Sequence, residues 1–223
     1  LFGKKKKEIF NQTYIVIFGS FPIVFITAMF SGMILALQTG IELSRFGQEA
    51  AVGFVVAASM CREMGPVFTA IAVSGLIGSS MCAEIATMQV SEEIEALEVM
   101  SIDPVYFLVM PRVIALGIGL PTLVVFSDII GILSGGITSV AMFNVDFELY
   151  LNNAREVLKL RDIYGGLLKA FVFGLTIVTV ACGQGLQTKH GAEGVARSTL
   201  RTVVVTFLLI LFFDYVLTWL IYQ

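Results

Sequence analysis

Between Met64 and Ala83 the sequence runs for twenty residues without a charged side chain. At about 1.5 Å per helical residue, that stretch reaches across the ~30 Å hydrocarbon core of a bilayer. Arg62-Glu63 precedes it and Glu84 ends it. Within a few residues the character changes. Ser91–Met100 is short and acidic, with Val90, Ile94 and Leu97 on one helical stripe. Asp103-Pro104 then stops it, because proline disfavours a helical residue before it. A second apolar run follows, so a span, an acidic amphipathic helix and another span make a handle for a partner on one side of a membrane.

Composition points the same way. Hydrophobic residues make up 57% of the 223 and charged residues 14%, well below the roughly 25% of soluble domains. The mean hydropathy is +0.90. This describes an all-α integral membrane protein of one domain, residues 1–223, with no room for a second catalytic module. No basic patch interleaves with aromatics, which excludes a nucleic-acid partner. Cys61, Cys82 and Cys182 sit in apolar surroundings without Cys-x-x-Cys spacing, and read as small buried hydrophobes rather than disulfide or metal ligands. The chain opens on Leu, so further native residues are expected upstream, and no cleavable signal peptide is visible.

In chain order, Lys4–Lys7 marks the cytoplasmic side ahead of span one, Thr13 to Gln38, which contains Pro22 and Gly32. Glu42 to Glu49 reads as an outside loop. From Glu49 to Ala83 one straight helix would be roughly 50 Å long, too long for the bilayer. Gly65-Pro66 offers a break, which leaves Met64 to Ala83 as span two and Ala50 to Cys61 as a packed or re-entrant outer piece. Glu84 to Asp103 is inside. Span three, from near Val105 to about Val140, passes Pro111, Pro121 and Asp128, and its Gly131/Gly135 pair suits close packing within the chain or a dimer seam. Phe147 to Leu160 is amphipathic: Phe147, Tyr150, Leu151, Ala154, Val157 and Leu158 on one side, Asn152, Asn153, Arg155, Glu156 and Lys159 on the other. Such a helix lies in the interface plane, here on the outer face. Span four, Tyr164 to Thr188, carries Lys169 as a snorkelling cation. An inside loop with Lys189, His190, Glu193, Arg197 and Arg201 leads to span five, Thr202 to Tyr222, which contains Asp214. Basic residues are in excess on the inside in this arrangement, with the N-terminus cytoplasmic.

No G-x-x-x-x-G-K-[ST], Ser-x-x-Lys, G-x-S-x-G or metal-spaced histidine cluster occurs. The chain is therefore expected to be no enzyme, with no metal and no cofactor of its own; if ATP drives the process, another subunit hydrolyses it. Arg62 and Glu63 stand out, because an ionisable group in hydrocarbon costs roughly 2.5–3.5 kcal/mol on insertion scales. Neighbours at i and i+1 do not face each other on a helix, so each needs its own partner. Either they pair structurally, for instance with Asp128 or Asp214, or Arg62 meets a phospholipid headgroup whose acyl chains lie against Leu35, Leu43, Phe46 and Met64.

REMGPVFTAIAVSGLIG, AEIATMQVSEEIEALEVMSIDPVYFLVMPR and GAEGVARSTLRTVV resemble the MlaE/YrbE permease family, over a region from GMILALQ at Gly32 to DYVLT near the C-terminus. The family usually shows Glu-Gln-Ile-Asp where this chain has Glu92-Glu93-Ile94-Glu95, and often Gly in place of Ser101 and Arg in place of Leu76. The resemblance implies an MlaE-like ABC permease domain of about five transmembrane helices, with a short cytoplasmic coupling helix and an amphipathic outer-face helix. It also implies a homodimer enclosing a lipid cavity in the bacterial inner membrane. The partners implied are an ABC ATPase that binds ATP and Mg, a periplasmic MCE-domain protein and a small STAS-type regulatory subunit. Glu92, Glu93, Ile94, Glu95, Leu97 and Glu98 fall on the segment that seats on the ATPase. The function expected is ATP-driven movement of phospholipid or a related lipid between the inner membrane and the MCE protein, which maintains outer-membrane lipid asymmetry. The alternatives are an ion-coupled secondary transporter using Glu63, Asp128 and Asp214 as a relay, and a non-transporting membrane scaffold.

Overall fold

The structure is a computed structural model and describes residues 2–189 and 191–223, with side chains from Lys7 onward apart from that of residue 190. The expectations for Lys4–Lys6 and for a solvated His190 lie outside the described side chains. Among the described residues the fold is all helical. Five helical segments are long and apolar enough to cross a membrane: Lys7–Ser44, Glu49–Val90, Val105–Phe143, Leu160–Leu186 and Gly191–Tyr222.

The elements in order are α1 (Phe2–Ser44), a 3₁₀ turn (Glu49–Ala51), α2 (Val52–Ser59), a π turn (Met60–Met64), α3 (Gly65–Val73), a second π turn (Ser74–Gly78), α4 (Ser79–Val90), α5 (Glu93–Val99), a π turn (Val105–Val109), α6 (Met110–Phe143), α7 (Phe147–Val157), α8 (Leu160–Leu186) and α9 (Gly191–Tyr222). The spans number five as expected, but they are longer than the bilayer requires. Three boundaries differ for identifiable reasons. Gly65-Pro66 does not break span two: the Gly65 N–H reaches back to the Met60 carbonyl, and a π turn absorbs the irregularity within one continuous 42-residue segment. Among the described residues, Ala50 to Cys61 is the packed alternative rather than a re-entrant one, helical and with Val52, Gly53, Val56, Ala57, Met60 and Cys61 buried. The expected inside loop after span four is largely the first turns of α9, where Glu193 and Arg197 form an exposed i,i+4 pair of little energetic weight.

The chain clusters into two compact units. One gathers Leu1–Ser20, Ala70–Leu120 and Phe171–Gln223; the other gathers Phe21–Thr69 and Pro121–Ala170. In the first, α4 packs on α9, Gly174 lets α8 approach the Leu116 backbone, and Gly185 sits against Ile85. The Arg112 guanidinium is buried there, bonding the exposed Glu84 carboxylate at 2.8 Å and the Leu108 carbonyl at 2.7 Å. This ties the foot of α4 to the foot of α6, on either side of α5.

Asp103-Pro104, read from sequence as a stop, is a start. Asp103 Oδ1 accepts from the Val105 and Tyr106 N–H groups at 2.9 and 3.3 Å, and Pro104 occupies the first helical position. What ends α5 is Ser101, whose φ is 60°, with Ser101 N–H to Glu98 O at 2.8 Å and Ile102 N–H to Leu97 O at 3.0 Å. This 6→1 and 5→2 pattern places glycine in most helices at the Ser101 position. A side chain in the left-handed region costs about 1–2 kcal/mol, part of which glycine returns as unfolded-chain entropy. Ser101→Gly is therefore expected to stabilise α5 by about 0.5–1 kcal/mol, read as slower amide hydrogen exchange from Ala96 to Met100.

In the second unit the core is Ala36, Val52, Val56, Met60, Val145 and Tyr150. Gly32 and Gly131 pack backbone to backbone, so that a Cβ at Gly32 would collide with Gly131. The Gly131/Gly135 pair thus serves packing within the chain. Asp146 caps α7, accepting from the Glu148 N–H at 2.7 Å. The apolar side of α7 does not lie on lipid: Tyr150 packs at Gly53 and Gly136, and its hydroxyl donates to the Ile132 carbonyl at 3.0 Å. Burial holds this phenol above its usual range. The amphipathic pattern records burial against α2 and α6, while Phe147 and Leu149 stay exposed.

Candidate functional site

The first π turn carries both intramembrane charges of span two, and its geometry follows from one residue. Pro66 has no N–H to offer the Arg62 carbonyl one α-helical turn back. The Lys169 ammonium fills that place, donating to Arg62 O at 2.9 Å and to Glu63 Oε2 at 2.7 Å. Lys169 is fully buried, so it does not snorkel. Arg62 forms a two-pronged pair with Asp162, Nε to Oδ1 at 2.8 Å and Nη2 to Oδ2 at 3.2 Å. The ion pairs of Arg62 and Glu63 are therefore with Asp162 and Lys169 on α8, where the sequence suggested Asp128 or Asp214.

Spacing on α8 makes this possible. Asp162, Gly166 and Lys169 stand at i, i+4 and i+7, hence on one face. Gly166 sits against the Cys61 carbonyl, where a side chain would collide, and so brings both charges within reach of the π turn. In each pair the span-two member is partly open and the α8 member is closed: Arg62 37% against Asp162 3%, Glu63 36% against Lys169 0%. Asp128 takes the room that Gly65 leaves empty. The three cysteines are buried free thiols.

The apolar candidates divide. Leu35 and Met64 line a hollow of about 320 Å³ with Ser31, Ile34, Gln38 and Phe68. Leu43 packs with them against the unit's core. Phe46 lies on the exposed turn after α1. Phe46 is not among the residues that line the hollow. Sequence reading missed Asp162 and misplaced Lys169; the available signal was the acid–glycine–base spacing on span four, complementary to the Arg-Glu of span two.

The second candidate set is on α5. Glu93, Glu95 and Glu98 are exposed, as is Glu92, which opens the helix in the left-handed region. Ile94 is turned inward, 5% exposed, and Leu97 is partly buried, whereas Val99 and Met100 project at 86% and 60%. The apolar surface available to a partner is therefore Val99-Met100 rather than Ile94.

A multi-pass helical chain with an ion-paired π turn inside one span and an acidic helix between two spans has the parts of a membrane transport subunit. The sequence profile of the MlaE permease family matches residues 9–220, and the chain belongs to that family. It is 41% identical over 215 residues to a probable ABC transporter permease protein of Rickettsia typhi, covering 96% of this chain and 83% of that one. A probable ABC transporter permease protein of Synechocystis is 38% identical over 204 residues, 92% and 78% of the two chains. The chloroplast protein trigalactosyldiacylglycerol 1 of Arabidopsis thaliana is 35% identical over 204 residues, 92% of this chain and 58% of that one. The chain is the permease subunit of an ABC transporter, a transport component rather than a catalytic chain.

Proposed function

We propose that this permease moves phospholipid, or a lipid of similar headgroup chemistry, between the bacterial inner membrane and a periplasmic MCE-domain protein, with ATP and Mg held by the ATPase partner. The observation that carries the reading is the partly open Arg62, beside Glu63 in a mostly apolar span, a guanidinium suited to a phosphate. The hollow at Leu35 and Met64 offers apolar lining in the same unit for an acyl chain. The Arabidopsis relative takes its name from a glycolipid, which supports lipid as cargo. The apolar surface of α9, including Leu200, Leu208, Phe212 and Tyr215, supports contact with a second copy of the chain. A small STAS-type subunit completes the assembly in this reading.

In the mechanism, the ATPases close on nucleotide, push α5 through its exposed glutamates and Val99-Met100, and so move α4 and α6. Val99→Asp with Met100→Asp is expected to cut ATPase co-purification at least tenfold, since two buried apolar contacts are worth more than 1.4 kcal/mol. Retained complex with full transport would remove α5 from the interface. Ile94→Asp is the wrong test, because it places a charge in the chain's own core. Arg62→Ala is expected to lower lipid crosslinking in proteoliposomes; an unchanged yield would remove Arg62 from the site.

A further inference from the structure

Asp162 meets Arg62 in the way a lipid phosphate would. Both are planar-fork recognitions in which two anionic oxygens face two N–H groups of one guanidinium, and here the oxygens lie 2.8 and 3.2 Å from Nε and Nη2. The exposure is one-sided: the cation is reachable and its present anion is closed off behind it. Asp162 also has a second holding point. Its Oδ2 accepts from the Lys159 backbone N–H at 3.2 Å, and it stands in the first turn of α8, where the helix dipole favours a carboxylate. A carboxylate that let go of Arg62 would keep a donor and a favourable field. Lys159 and Arg161, both exposed, precede it in sequence and add positive charge nearby.

We propose that Asp162 is an internal competitor for the headgroup: it occupies Arg62 while no lipid is bound, yields it to an incoming phosphate, and expels that phosphate when it returns. This rests on the reading of Arg62 as the headgroup site and adds the means of release. A fixed guanidinium in a low-dielectric span would hold a phosphate strongly; a neighbouring carboxylate in the same fork makes the exchange nearly even. Glu63 does not take part, because Lys169 holds it.

The test uses the full chain in nanodiscs of phosphatidylethanolamine and phosphatidylglycerol, with a phosphatidylethanolamine bearing a photoreactive acyl chain as probe. Asp162→Asn keeps the shape and removes the competing charge, and is expected to raise crosslinking about tenfold, whereas Asp162→Glu stays near the parent. A fall or no change for Asp162→Asn, with Arg62→Ala still lowering the yield, would overturn the competition and leave the headgroup site standing. No effect of Arg62→Ala would bring down the site as well. Should Asp162→Asn fail to fold, the unaltered chain decides: the Arg62 Nε–H resonance should move when lipid is added to lipid-free protein, and a fixed resonance with lipid bound would refute the exchange.

Discussion

Lys169→Met is expected to destabilise the chain by about 2–3 kcal/mol, less than the roughly 3–5 kcal/mol of a fully buried pair because Glu63 is partly open to solvent. The Glu63 carboxylate and the Arg62 carbonyl each lose the hydrogen bond from the Lys169 ammonium. The double variant Lys169→Met/Glu63→Met should recover most of the loss, because replacing a buried pair by apolar residues of similar volume is often neutral. The measurement is unfolding in detergent for the single and double variants. A Lys169→Met chain as stable as the parent would mean that the π turn holds itself. If the double variant is stable and supports normal transport, the Glu63–Lys169 pair serves packing alone; stability without transport gives the charges a part in moving cargo.

Gly166→Leu should do comparable damage by a different route. Its added carbons would enter the space of the Cys61 carbonyl, which is backbone and cannot rotate away. Overpacking at a helix–helix contact costs about 1–3 kcal/mol, occasionally more, and here the displacement also carries Asp162 and Lys169 away from their partners, so about 3 kcal/mol or outright misfolding is expected. Gly166→Ala, with one carbon, should fall between. Equal stability of Gly166→Leu and the parent would show that α8 can stand off from the π turn at no cost.

Much of the architecture was legible because length and charge are the signals a membrane imposes. Twenty uncharged residues before Glu84, and comparable runs elsewhere, fix the number of spans. The acidic helix was legible for the same reason, being the place where apolar pattern gives way to glutamate. What escaped were relations between distant segments. A single helical wheel assumes 3.6 residues per turn, and the π turns at Met60–Met64 and Ser74–Gly78 shift the register twice within span two. Faces before and after each turn cannot be read from one another. Pro66 looked like a break because the donor that repairs it, Lys169, lies 103 residues further on. Asp162 was hidden by a similar distance; its role depends on Gly166 bringing two backbones together, and one sequence does not reveal which glycine does so. The side of α7 that packs on protein carries the same pattern as one that packs on lipid, since both are apolar.

Neither Glu92 nor Ser101 is glycine, yet both adopt positive φ, and they bracket α5. Such residues have little freedom to swing, so this seven-residue rod is clamped at each end rather than dangling from slack loops. Glu84 and Arg112 close the base of the same hairpin. Under the coupling mechanism proposed above, a load on the rod's outer surface would reach α4 and α6 together, as a tilt they share.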